Sequence, residues 1–86
     1  MTEHKHHYVY ILRCADGSLY TGWTTNLTER VAVHNSGKGA KYTRSHLPVT
    51  LVYHETFSDK STALKREAEI KKMTRSQKEL FMQNKE

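Results

Sequence analysis

The sequence predicts an α+β fold: a three-stranded, mainly antiparallel sheet flanked by helices in the order ββαβαα. Three observations predict it. Two runs rich in β-branched and aromatic residues are separated by a turn signal, a third such run comes later, and helix-start signals follow the second and third runs. Residues 7–14 (HYVYILRC) read as the first strand, Ala15-Asp16-Gly17-Ser18 as a turn, and residues 19–23 as the second strand of a hairpin. Asn26 followed by Glu29 is a capping-box-like start for a helix reaching about Asn35, where Ser36-Gly37 stops it. Residues 38–48 (KGAKYTRSHLP) read as loop or short irregular structure, and residues 49–57 (VTLVYHETF) as the third strand. Ser58 or Asp59 caps a helix through about Met73, and Thr74 with Gln77 opens a last helix over residues 75–83.

The chain has 86 residues, 36% of them hydrophobic, a length that suits one domain over residues 1–86 with one small core. Residues 1–6 precede the first strand signal and read as a frayed N-terminus whose histidines are incidental. The single Cys14 has no intramolecular partner, which points to a reducing compartment, the cytoplasm. No apolar run approaches the roughly 20 residues of a membrane span. Lys and Arg number 14 against nine Asp and Glu, a net charge of +5 that favours acidic partners, nucleic acid first. Lys38, Lys41 and Arg44 fall in a stretch without acids, and residues 60–78 carry seven positive side chains.

Function is sought in polar residues that fall on apolar faces. In the first helix, at about 100° per residue, Arg30 and His34 lie between Leu27 and Val33 and are neighbours at a spacing of four. In the second helix Ala63, Leu64, Ala68 and Ile70 define an apolar arc, and Glu67 lands inside it with Lys71 beside it. A carboxylate there pairs with a cation, binds a metal or has a raised pKa, and an i, i+4 Glu67–Lys71 pair is the plain alternative. In the hairpin, a three-residue turn with Gly17 in the left-handed region pairs 12 with 20 and 10 with 22. Tyr10 and Tyr20 then share a face, and Gly22 opposite Tyr10 leaves space for a ligand; a two-residue turn would place the tyrosines on opposite faces.

Two phenols, a guanidinium, an imidazole and a carboxylate converging between sheet and helices suit phosphodiester hydrolysis. The carboxylate can hold one Mg²⁺ or Mn²⁺, the arginine can stabilise charge on the transition state, and a phenol or imidazole can take a proton from water. With no second carboxylate, one metal ion is expected. Cys14 has no neighbouring base and reads as a packed thiol.

These residues resemble the GIY-YIG nuclease superfamily, from Tyr8 to about Phe81. The first motif stands as Tyr8-Val9-Tyr10 and the second as Tyr20-Thr21-Gly22, with Tyr8 in place of glycine and Thr21 in place of isoleucine. Arg30 with His34, and Glu67 after Ala63-Leu64-Lys65-Arg66, fall where that family keeps its arginine, its histidine or tyrosine, and its metal-binding glutamate. The stretch Ser36-Gly37-Lys38-Gly39-Ala40-Lys41-Tyr42-Thr43 is typical of its small stand-alone bacterial branch.

The resemblance implies a divalent-metal-dependent endonuclease acting on DNA, with Tyr10 or Tyr20 as general base, Arg30 on the phosphate, His34 assisting and Glu67 holding one ion. Lys38, Lys41, Tyr42, Arg44 and Lys71 are the implied nucleic-acid contacts, Tyr42 either stacking on a base or anchoring its loop. Some relatives use a late asparagine, for which Asn84 is the candidate. The competing readings are a module that binds nucleic acid without cleaving it, and a subunit that needs a protein partner for targeting.

Overall fold

The computed structural model describes residues 6–83; residues 1–5 of the expected frayed terminus and Asn84 lie outside them. The chain forms β1 (His7–Arg13), β2 (Leu19–Thr24), α1 (Leu27–Asn35), α2 (Lys41–Arg44), β3 (Thr50–Phe57), α3 (Lys60–Lys71) and α4 (Arg75–Gln83). The sheet order is β2-β1-β3, with β1 antiparallel to both neighbours. The expected order of strands and long helices is therefore present. The one addition is α2, a four-residue turn of helix inside the stretch expected as loop.

Local chemistry sets the boundaries. Gly17 takes φ +87°, and Cys14 N–H donates to Ser18 O at 2.8 Å, closing the three-residue turn. Tyr10 consequently faces Gly22 and Leu12 faces Tyr20. The Asn26 side chain accepts from Glu29 N–H at 3.0 Å at the start of α1. At the far end Gly37, at φ +85°, ends the helix. Asp59 caps α3 by accepting from Thr62 N–H at 2.9 Å. At α4, Thr74 Oγ1 accepts from Gln77 N–H and Gln77 accepts from Thr74 N–H, a reciprocal capping box.

The central strand is buried on both faces, so it reads as the unbroken run Val9-Tyr10-Ile11-Leu12. On one face Val9 and Ile11 pack against Ala63 and Ile70 of α3, with Phe81 and Met82 of α4 alongside. On the other, Tyr10, Leu12 and Cys14 pack with Val49, flanked by Leu27 and Val31 of α1. The buried stripe of α3 is narrower than its expected arc: Ala63 and Ile70 are buried, whereas Leu64 is 40% exposed and Ala68 is exposed. Helix α4 shares this face through Phe81 and Met82, so α3 covers the sheet with the narrow row of Ala63 and Ile70, Glu67 being half-buried between them.

One core position carries charge. Lys78 of α4 is only 9% exposed and donates from Nζ to Thr21 Oγ1 at 3.0 Å, under β2 on the α3 side. Burial, with the like charge of Lys71 nearby, pushes the Lys78 ammonium below its usual pKa. This pair explains the threonine at 21: isoleucine would leave a buried ammonium without that acceptor. Thr21→Val is therefore expected to cost about 1–3 kcal/mol. Thr21→Val combined with Lys78→Met should recover most of that loss in urea titrations, and equal losses in the single and double variants would show that the two residues are not coupled.

Candidate active site

The site forms where α1 meets the β2 edge of the sheet. Tyr10 points across Gly22, so closely that a Cβ added at residue 22 would lie 2.5 Å from the phenol oxygen. The space expected there for a ligand is thus filled by Tyr10 itself, which is 1% exposed. Its hydroxyl lies 3.0 Å from Nε2 of His34, a fully buried residue in the last turn of α1. The other ring nitrogen, Nδ1, is 2.8 Å from Thr43 Oγ1 in α2. The Tyr20 ring stands edge-on to the imidazole with centroids 5.4 Å apart, and 6.5 Å from the Tyr10 ring. Tyr20 is half-buried, so of the two phenols it is the one that solvent reaches.

Arg30, one helical turn before His34, lines an open cleft of about 240 Å³ with Thr24, Thr25, Asn26, Glu29 and Val33. Burial raises the Tyr10 phenol above its ordinary pKa, and the positive Arg30 guanidinium opposes that rise. Tyr20 and Glu67 are close enough for their charges to act on the same phenol. Burial, helped by Arg30, lowers His34 below its usual 6.5, so the imidazole is neutral at pH 7. His34 and both tyrosines therefore meet beside β2, with Arg30 one helical turn away on α1, while Glu67 stands on α3.

Glu67 has a side chain only 17% exposed and pairs with Lys71 at 3.3 Å, Lys71 itself being 53% exposed. Both readings of Glu67 hold: it sits in the buried row of α3 and it forms the i, i+4 pair. Lys71 Nζ lies 3.3 Å from Oε2, and a carboxylate offers lone pairs on both oxygens. Among the described residues no group of three or more His, Cys, Asp or Glu gathers as a metal cluster. A zinc-like cage does not fit this site. A hard divalent ion does fit, since such ions bind through one or two carboxylates and complete their shell with water and substrate phosphate. Glu67 is the residue that would hold it.

Lys38, Lys41 and Arg44 are exposed on the segment between α1 and β3. Tyr42 is 42% exposed and anchors that segment: its hydroxyl donates to Ser18 Oγ at 2.6 Å, and its ring lies nearly parallel to Tyr20 and His46. Lys71, expected on nucleic acid, has its ammonium on Glu67 instead. Sequence reasoning missed Thr43, Gly39 and Lys78. Thr43 and Gly39 belong to the segment quoted for the resemblance, but only its charged and aromatic members were weighed.

The family model of the GIY-YIG catalytic domain matches residues 6–80. The chain belongs to the GIY-YIG family, and so to the nuclease superfamily that its motifs resemble. Within it the chain is similar to UPF0213 proteins. One from Staphylococcus haemolyticus is 62% identical over 72 residues, 84% of this chain and 88% of the relative. The solution NMR structure of a UPF0213 protein from Bacillus halodurans matches with a TM-score of 0.62 at 49% identity, covering 93% of this chain and 85% of that one. The solution NMR structure of a protein from E. faecalis matches with a TM-score of 0.64 at 48% identity, covering 96% and 88%.

The buried imidazole gives a pH signature. Because the folded pKa of His34 lies below the unfolded value of 6.5, the unfolded chain binds its proton more readily. Stability from this residue is fully present above about pH 7 and declines as pH falls through 6.5 towards the folded value. Urea midpoints between pH 8 and 5 are expected to drop in that window, and His34→Gln, although less stable overall, should lack the drop.

Proposed function

We propose that this protein is a divalent-metal-dependent endonuclease that hydrolyses phosphodiester bonds in DNA through one ion, Mg²⁺ or Mn²⁺. The observation that supports the reading is the family match over residues 6–80, with Tyr20 in ring contact with Tyr10 and His34 and with Arg30, one helical turn from His34, lining an open cleft. A bound ion would supply neutralisation of phosphate charge at Glu67. Arg30 binds the phosphate and stabilises the charge that grows on its oxygens as water adds to phosphorus. Tyr20, the phenol that solvent reaches, is the residue assigned to accept the proton of that water. Tyr10 is less suited to this step, because its hydroxyl is buried against His34. The bond from phosphorus to the leaving oxygen then breaks, and that oxygen takes a proton from solvent.

Lys38, Lys41 and Arg44 serve the flanking phosphates, whose contacts supply most of the affinity. Tyr42 acts mainly as the anchor of that segment, and Lys71 reaches DNA only by leaving Glu67. This reading favours branched or damaged DNA, a role in repair in the cytoplasm and a partner protein for targeting. The Glu67–Lys71 pair favours a second reading, a module that binds nucleic acid without cleaving it, because a cation already occupies the carboxylate.

Cleavage of supercoiled plasmid and branched DNA with Mg²⁺ or Mn²⁺ separates the two. Wild type, Glu67→Ala and Tyr20→Phe are purified in parallel, and loss of at least about 100-fold in each variant is expected, on the scale of a lost general base. A chelator should abolish wild-type cutting. Cutting that persists unchanged in both variants would overturn the site, and binding without cutting by any of the three would favour the binding module or a subunit that needs a partner.

A further inference from the structure

We propose that Thr43 is a positioning residue. Through Nδ1 it fixes His34 as the Nδ1–H tautomer, which makes the Tyr10 phenol a donor and keeps its oxygen lone pairs clear of the imidazole. The catalytic consequence rests on the nuclease reading; the tautomer does not.

The argument is a count of hydrogens. Thr43 Oγ1 lies 2.9 Å from Ala40 O, which only accepts, so the single hydroxyl hydrogen is directed there. The imidazole Nδ1 at 2.8 Å must then be the donor to Oγ1. In a neutral ring Nε2 is left with a lone pair, and it faces the Tyr10 hydroxyl at 3.0 Å, so the phenol donates to it. The reverse assignment has Thr43 donating to Nδ1 and Nε2–H donating to Tyr10. Its cost falls on Tyr10, whose own hydrogen would have neither His34 nor the donor-only Arg30 as acceptor, on a residue 1% exposed. A protonated imidazole orphans the same hydrogen. One arrangement satisfies every group, and it runs in a single direction: Tyr10 to His34, His34 to Thr43, Thr43 to Ala40.

The same short segment prevents the ring from escaping this state. A Cβ at Gly39 would stand 2.4 Å from His34 Nδ1 and 2.9 Å from its Cα, so the backbone at 39 lies directly against the imidazole. Gly39, Ala40 and Thr43 thus supply a wall, a terminal acceptor and a relay, and Tyr42 pins them to Ser18. In the other tautomer Nε2–H would take a lone pair of the Tyr10 oxygen and turn the phenol hydrogen away from the imidazole.

Long-range ¹H–¹⁵N spectra of the histidine rings at pH 7.5 test this directly, with His34 assigned by comparison with His34→Gln. Wild type and Thr43→Ser are expected to show Nδ1 protonated and Nε2 bare. Thr43→Val is expected to shift towards Nε2–H or to an averaged ring. A bare Nδ1 in wild type, or an unchanged tautomer in Thr43→Val, would overturn the proposal. If Thr43→Val does not fold, wild type and Thr43→Ser still decide it. Where wild type cleaves DNA, Thr43→Val should lower kcat at least about tenfold with KM within about twofold, and Thr43→Ser should restore it; equal kcat in all three would remove the catalytic part. Absence of cleavage by wild type would count against the nuclease reading, while the spectra would still decide the tautomer.

Discussion

The buried contact between Tyr10 and His34 is the constraint from which the rest of the site follows. A phenol and an imidazole both taken out of water must satisfy each other, and that requires three separate parts of the chain to agree. The hairpin must hold the register that puts Gly22 under the Tyr10 ring, since any side chain there would collide with it. Helix α1 must end with His34 directed at the sheet. The following segment must then bring Gly39 and Thr43 onto the far side of the ring. Arg30 is positioned as a by-product, one turn earlier on the same helix and beside the same phenol.

The position of β2 at the edge of the sheet explains how residues from opposite faces can share chemistry. Tyr10, Tyr20 and His34 belong to the α1 side, and Glu67 and Lys78 belong to the α3 side. In a central strand the sheet would separate them. Here Thr21, the middle residue of the second motif, reaches down to Lys78 while its neighbours Tyr20 and Gly22 face Tyr10. Alternation along three residues of β2 therefore divides the work: Tyr20 and Gly22 build the site, and Thr21 fastens the strand to α4.

Most of the fold was legible in the sequence because its signals are local. Asp16-Gly17 specified the turn, the turn specified the register, and the register placed both tyrosines on one face. The caps at Asn26, Asp59 and Thr74 marked the helix starts for the same reason. Long-range partners were less legible. Helical periodicity flagged His34 as buried but could not name Thr43, nine residues on and in another element. It overstated the α3 arc at Leu64 and Ala68, because arc width depends on how much sheet lies beneath. Opposite Tyr10, Gly22 suggested an empty space; whether a small residue makes room for a ligand or for a neighbour depends on a rotamer.

Charge divides the molecule in a way that composition alone could not. Glu79 pairs with Arg13 and Arg75, Glu55 and Glu69 pair with Arg66, and Glu67 pairs with Lys71. These acids meet their cations through α3 and α4. Among the described residues no ion pair engages Lys38, Lys41 or Arg44, so three exposed positive charges stand on the segment that also holds His34. That segment is tied down at its centre by Tyr42 and Thr43 while its lysines and arginine remain in water. An anionic strand attracted to those side chains would approach along the same segment whose backbone positions the imidazole, so the groups that attract the substrate and the groups that order the site are successive residues of one short run.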